Sequence, residues 1–335
     1  MHFLPVAVLH DEHGPLVERI RFTYLTSGRD LLRHKEKPAS NSVVVFADPA
    51  TGDSQGPASN PKSSPLPLLA QRSQIQFDLD NLPALKNVTR EIEAIKAFFP
   101  GSEIYTKEKA TVASFTLLRA PGILHAAVHG IYFTGLAESI NPLFSTGLVL
   151  SDSDSSLVPM DGIPRPLYSR RVLTAYDVAS MDLWGTQLVV LSACDTGLGY
   201  AARGQGVYGF RRSFMIAGAD TLLGSLWKIN DAATASFMVS FYKNLSKGLS
   251  KGEAFHEAVM EVRSRHPHPY YWAPFILIGD TSRLNGYSTT GQLEDKSPRS
   301  YLPLLVSGFL LLLGICFGSS PRLRRRVSGS RDLHC

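Results

Sequence analysis

Residues 188–199 read LVVLSACDTGLG. The first half is an apolar run of strand length, and it stops at Cys194, where acidic and glycine-bearing turn residues begin. A strand that is apolar at successive positions, rather than alternate ones, is covered on both faces, and that is the habit of a parallel sheet with helices above and below it. Residues 123–130, ILHAAVHG, have the same form: a strand over 123–128, then His129 and Gly130.

The rest of the chain fits such a sheet. Strands are predicted at 16–24, 43–47, 103–106, 147–150, 187–192, 221–226 and 274–278. Helices are predicted from Ser27, over 85–99 (Val88, Ile92, Ile95 and Phe99 at helical spacing), and over 110–119, 173–181, 205–217, 231–245 and 251–265. Residues 49–66 are rich in Pro, Ser and Gly and read as a mobile loop. Alternating strands and helices give an α/β fold with a mostly parallel sheet covered on both faces.

Composition narrows the function classes. At 335 residues and 44% apolar, the chain is long enough for a substantial core. Its three cysteines, Cys194, Cys316 and Cys335, are scattered, with no metal-ligand spacing and no disulfide framework. The net charge of +5 is local: the tail 319–335 carries five arginines and one aspartate, net +4, which leaves +1 for the remainder. No nucleic-acid partner is expected from so nearly neutral a body.

Residues 301–318, YLPLLVSGFLLLLGICFG, carry no charge, and none falls between Arg299 and Arg322. This is either a buried C-terminal helix or a membrane span. The flanking arginines and the lack of amphipathicity favour a transmembrane helix, reached through a polar linker at 281–300 and followed by the basic tail. The arginines would place the C-terminus in the cytoplasm; the lack of a leader or disulfides places the main domain there instead. A single span allows only one of these. We favour a cytoplasmic main domain, because a tail anchor leaves only a short segment to translocate.

Cys194 and His129 each close an apolar strand, and sites in open α/β sheets lie at the carboxyl ends of the strands. If the two strands are neighbours, both side chains face one cleft. A free thiol has a pKa of about 8.5, so it needs a base to become a nucleophile, and an imidazole can take its proton and later protonate a leaving amine. The backbone N–H groups of Gly130 and Cys194 are candidate oxyanion donors. Packing is the competing explanation for each residue alone, since free cysteine is commonly a buried hydrophobe. His125, inside its strand, reads as a hydrogen-bonded structural histidine.

Several neighbours have simpler roles beside functional ones. Asp195 either shapes a substrate pocket or makes an Asx turn. Arg203 contacts a substrate carboxylate or is a solvated surface residue. Trp227 walls the cleft or packs in the core. Asn230 or Asp231 caps the helix that follows. GQGVYG at 204–209 matches a dinucleotide fingerprint but does not directly follow a strand, so it reads as a loop shaping the cleft, then a helix.

ILHAAVHG, VVLSACDTGLG, GQGVYGFRRSFMIAGADTLLGSLWKIND and HPYYWAPFILIGD, with HFLPVAVL and LVERIRFTYLTSGRDLL before them, together resemble a CHAT domain, a caspase-like cysteine peptidase domain often found beside TPR repeats in bacteria. The resemblance spans residues 1–280. It implies a caspase-like α/β/α sandwich, a catalytic dyad of His129 and Cys194, a protein or peptide substrate, no metal or organic cofactor, and a TPR-containing or other regulatory partner. TPR repeats are absent from this sequence, and its first residues fall where the family already has a preceding segment. The expected function is therefore a membrane-tethered cysteine endopeptidase in bacterial signalling or defence. The alternative is a catalytically quiet or partner-activated signalling module.

Overall fold

Val43–Pro49, Ile123–Ala127 and Leu188–Leu191 form adjacent parallel strands in the computed structural model, which describes residues 5–25, 40–50, 82–132, 142–152, 171–192, 205–227, 229 and 231–287. In chain order the strands are β1 (His10–Asp11), β2 (Gly14–Pro15), β3 (Val43–Pro49), β4 (Glu103–Lys107), β5 (Ile123–Ala127), β6 (His129–Tyr132), β7 (Thr146–Val149), β8 (Val172–Thr174), β9 (Leu188–Leu191), β10 (Thr221–Ser225) and β11 (Phe275–Gly279). The helices are α1 (Val88–Phe98), α2 (Val112–Thr116), α3 (Ala175–Ala179), α4 (Gln205–Ala217), α5 (Asp231–Ser246) and α6 (Lys251–Arg265).

The main sheet has six strands in the order β11-β10-β9-β5-β3-β4. Its first five chain segments are parallel, and only β11 runs against its neighbour β10. Period-two alternation sorts the side chains between two cores. Val43, Val45, Ile123, Ala127, Leu188 and Val190 pack with Ile95, Phe237, Phe241 and Val262, that is, under α1, α5 and α6. Val44, Phe46, Leu124, Ala126, Val189 and Leu191 pack with Phe115, Val178, Phe210 and Phe214, under α2, α3 and α4. The molecule is thus an α/β/α sandwich, and each central strand is apolar throughout because both of its faces are dry.

The helices begin where side chains satisfy their first backbone donors. Thr111, Thr174 and Ser250 each accept from the backbone N–H three residues on, and Ser114, Asp177 and Glu253 return the bond. The base of the sheet is locked by Gln187, whose side-chain amide donates to the carbonyls of Ser40 and Asn285 and accepts from the Asn285 N–H.

The structure corrects four expectations. Residues 16–24 are not a strand: Leu16–Glu18 is a 3-10 turn, whose N–H and C=O groups are consumed by bonds to Leu9 and from Arg19 and Ile20. Only Tyr24 joins the sheet, bridging Ile278 on β11. The helix expected over 173–181 is divided, because the capping box at Thr174 ends β8 and starts α3 there. Residues 205–209 are not the loop expected at the start of GQGVYG, since α4 begins at Gln205, where the helix predicted over 205–217 also begins. Finally, β6, β7 and β8 form a second, antiparallel sheet that the sequence reading lacked.

Among the described residues no helix is long and apolar enough to cross a membrane. The predicted span 301–318, the basic tail, the helix opening at Ser27, residues 288–300 of the linker expected at 281–300 and residues 51–66 of the loop expected at 49–66 lie outside the described residues. The first part of that linker belongs to the domain, with Leu284 and Tyr287 packed on its core and Asn285 bonded to Gln187, and Pro49 ends β3.

Candidate active site

The two motif strands are neighbours. β5 and β9 pair in parallel with Ile123 opposite Leu188 and Ala126 opposite Leu191, and the Ser192 N–H extends the ladder to the Ala126 carbonyl at 2.9 Å. Such strands read in the same direction, so both carboxyl ends open on one edge of the sheet. Val128 is the only residue between β5 and His129.

His129 and Gly130, expected just past the carboxyl end of a strand, open a further strand: they are the first two residues of β6, opposite Val149 and Leu148 of β7. The reason is local. β5 ends with its apolar side chains buried on both faces, and the chain continues directly into a hairpin that covers the edge of the second core. His129 is 5% exposed, and its Nε2 lies 2.8 Å from the carbonyl oxygen of Pro83. A carbonyl only accepts, so in this contact Nε2 carries the hydrogen and, in the neutral ring, the lone pair is on Nδ1. Pro83 stands ahead of α1, far from His129 in sequence, and no local pattern announced it.

Cys194, Asp195 and Arg203 lie outside the described residues, as does Asn230. Trp227 follows β10 and is half-buried against the core under α1, α5 and α6; its indole N–H donates to the Tyr270 carbonyl at 3.3 Å. Asp231 is the first residue of α5. Gly209 lies within α4, where an added Cβ would sit 2.3 Å from Thr146 Oγ1, so the glycine lets α4 approach β7. That is a packing use of the GQGVYG glycine.

His125 is hydrogen-bonded, as expected, but in richer company than expected. Its Nδ1 is 2.9 Å from the Tyr242 hydroxyl and its Nε2 is 3.3 Å from Glu91 Oε2. All three residues are buried. Burial, and secondarily the charge of Glu91, pushes the Tyr242 pKa well above its ordinary value, so the phenol keeps its proton and can donate. The available signal for Glu91 was its position on the apolar stripe of α1, three residues after Val88 and four before Ile95.

Glu91 also borders a small cavity of about 20 Å³ at the strand ends, lined by Leu85, Ala127, Ser192, Asp231 and Thr234 among others. A larger cavity of about 380 Å³ opens at the other end of the sheet, beside Val43, Phe99, Leu245, Arg283 and Tyr287. Among the described residues no group of three His, Cys, Asp or Glu side chains is placed to hold a metal ion.

Comparison with known proteins gives the following. A sequence model of the CHAT domain matches residues 1–280. Tetratricopeptide repeat protein 28 of Homo sapiens is 36% identical over 126 residues, 37% of this chain and 5% of that protein. Its Mus musculus counterpart is 36% identical over 120 residues, 35% of this chain and 5% of that protein. The matched segment is thus a small part of these relatives, and they are mammalian, so they do not carry the bacterial setting the resemblance implied. Among solved structures, the Arg-specific cysteine proteinase gingipain R aligns over 75% of this chain and 50% of its own, at 10% identity and a TM-score of 0.42. That likeness is too distant to bear on chemistry.

Proposed function

Because this chain belongs to the CHAT domain family, we propose that it is a cysteine endopeptidase in which His129 and Cys194 form the catalytic dyad. The observation that carries this reading is the parallel pairing of β5 with β9, which sets the ends of the HAAVHG and LSACDTG segments on neighbouring strands. The contact of His129 Nε2 with the Pro83 carbonyl supports it, because it leaves Nδ1 as the basic atom.

In the proposed reaction Nδ1 of His129 takes the Cys194 thiol proton, and the thiolate attacks the scissile carbonyl carbon. The electron pair moves to the carbonyl oxygen, stabilised by the backbone N–H groups of Gly130 and Cys194. The tetrahedral intermediate collapses, the C–N bond breaks, and Nδ1–H protonates the departing amine. A thioester remains. Nδ1 then takes a proton from water, hydroxide adds to the thioester carbonyl, and the proton returns to sulfur as the acid product leaves. The Pro83 carbonyl moves no proton; it holds the ring in one tautomer and orientation. Asp195, Arg203 and Trp227 are the residues we assign to the substrate pocket.

The test is cleavage of a protein target by the purified chain and by Cys194→Ala. Loss of cleavage in a variant that keeps the wild-type fold is expected; unchanged cleavage would refute the assignment.

A second reading is favoured by the mammalian relatives, whose names mark them as tetratricopeptide repeat proteins. In it the domain is a partner-controlled signalling module, active only when a repeat-bearing protein is bound. Adding such a partner would then raise turnover from near zero. Attachment to a membrane through 301–318, with the peptidase domain on the cytoplasmic side, is likewise proposed from the sequence. Reporter fusions at each terminus test it, and two soluble, untethered termini would contradict it.

A further inference from the structure

The reaction above uses neither Glu91 nor Asp231, yet both line the cavity of about 20 Å³ at the strand ends. Asp231 stands in the first turn of α5, where the helix dipole favours an acidic side chain. Glu91 has no such explanation. It is 5% exposed, and its Oε2 is buried without a hydrogen-bond partner; His125 Nε2, 3.3 Å away, is equally unbonded. A buried carboxylate left unpaired is costly, and in a native fold it calls for a reason. Among the described residues no lysine or arginine lines the cavity. It is an acidic recess without a counter-charge.

Its place ties it to the proposed chemistry. Ala127 and Ser192 also line it, and they precede His129 and Cys194 by two positions each. Two residues of chain span at most about 7 Å, so a carbonyl held between His129 and Cys194 stands one long side chain away from the recess. The wall suits such a side chain, with apolar Leu85 and Ala127 beside polar Ser192, Thr234 and the two acids. The volume then selects among basic groups, since it admits about one water-sized group. A lysine ammonium is of that size, carries three donors and arrives on a flexible four-carbon stem that lies well along apolar surface. A planar guanidinium is larger than the space. We propose that this cavity is the specificity pocket for the substrate residue that supplies the scissile carbonyl, and that it takes lysine, with Glu91 and Asp231 receiving the ammonium. This rests on the reading of the chain as a peptidase with His129 and Cys194 as its dyad. Lysine gives Glu91 the partner the fold withholds. An uncharged side chain leaves it orphaned, and sites built to bond a polar group reject analogues that lack it by large factors.

The test offers the full chain peptides of the form acetyl-Ala-Ala-X-aminomethylcoumarin, with X as lysine, arginine or norleucine; norleucine keeps the stem and lacks the charge. The lysine peptide is expected to exceed the arginine peptide in kcat/KM by at least about tenfold and the norleucine peptide by at least about a hundredfold. Asp231→Asn, which keeps the shape and removes the charge, is expected to narrow the lysine-to-norleucine ratio by about tenfold or more. A chain that cleaves the arginine or norleucine peptide as fast as the lysine peptide overturns the pocket and leaves the peptidase reading standing. So does a lysine preference that Asp231→Asn leaves untouched. If no peptide is cleaved, acetyl-Ala-Ala-Lys-amide and its norleucine counterpart are titrated calorimetrically into the Cys194→Ala chain. Lysine binding tighter by at least about tenfold, and lost when Asp231→Asn is added, upholds the pocket while the missing cleavage counts against the peptidase reading. Equal binding of the two overturns the pocket as well.

Discussion

The backbone N–H of Ser192 donates to the carbonyl of Ala126 at 2.9 Å, which ties the end of β9 to the end of β5. Cys194 follows Ser192 by two positions, and His129 follows Ala126 by three. The proposed chemistry depends on this pairing, since residues on non-adjacent strands would need long loops to meet. The surrounding structure yields predictions of its own.

Gly209→Ala should destabilise the protein although it lies in a helix. Alanine is ordinarily preferred to glycine there by about 1 kcal/mol. Here the new Cβ would meet Thr146 Oγ1 at 2.3 Å, and overpacking costs about 1–3 kcal/mol. Adding Thr146→Ala removes the offending oxygen and should restore most of the loss. Urea unfolding of the single and double variants measures both; a stabilised Gly209→Ala would contradict the packing described.

Tyr242→Phe keeps the aromatic shape in the core and removes the hydroxyl that contacts His125 Nδ1 at 2.9 Å. A buried ring nitrogen left without its partner costs about 1–3 kcal/mol. The expected loss is read by chemical denaturation at neutral pH, and a variant as stable as the wild type would show that the hydroxyl is not part of a working network.

The Asp280 carboxylate anchors the buried Lys251 at 2.9 Å. Burial alone would raise the Asp280 pKa, but the charge of Lys251 and bonds from Lys251 and Ser282 outweigh it and hold it below the ordinary value of 3.8. A depressed carboxylate contributes stability that is present above its unfolded pKa and is lost as pH falls through the folded one. Asp280→Asn should therefore be less stable than the wild type at pH 7, with the gap closing below about pH 4. A gap that widens on acidification would reverse the assignment.

The sequence disclosed the elements whose signal is strong and local. β3, β5, β9, β10 and β11 are apolar runs covered on both faces, and α1, α5 and α6 carry apolar stripes at helical spacing. Of the second sheet only β7 was legible, as the strand predicted at 147–150; β6 and β8 are three or four residues long, and each lies against an element that masked it, β6 directly after β5 and β8 overlapping the helix predicted over 173–181. Alternation over 16–24 misled because local bonds from Arg19 and Ile20 to Leu16 captured the backbone. In the candidate site, His129 was legible from its place after a strand. Pro83 and Glu91 were not, since each meets its histidine only through the packing of α1 on the sheet.

The central claim, that His129 activates Cys194, is tested most directly by the rate at which iodoacetamide alkylates each cysteine at pH 7, followed by peptide mass spectrometry. Cys335, outside the proposed span, serves as the internal standard in the same chain. The account predicts that Cys194 reacts at least about tenfold faster than Cys335, as a thiolate-rich site does, and that His129→Ala abolishes the difference. A Cys194 that reacts no faster than Cys335, or whose rate is untouched by His129→Ala, would contradict it.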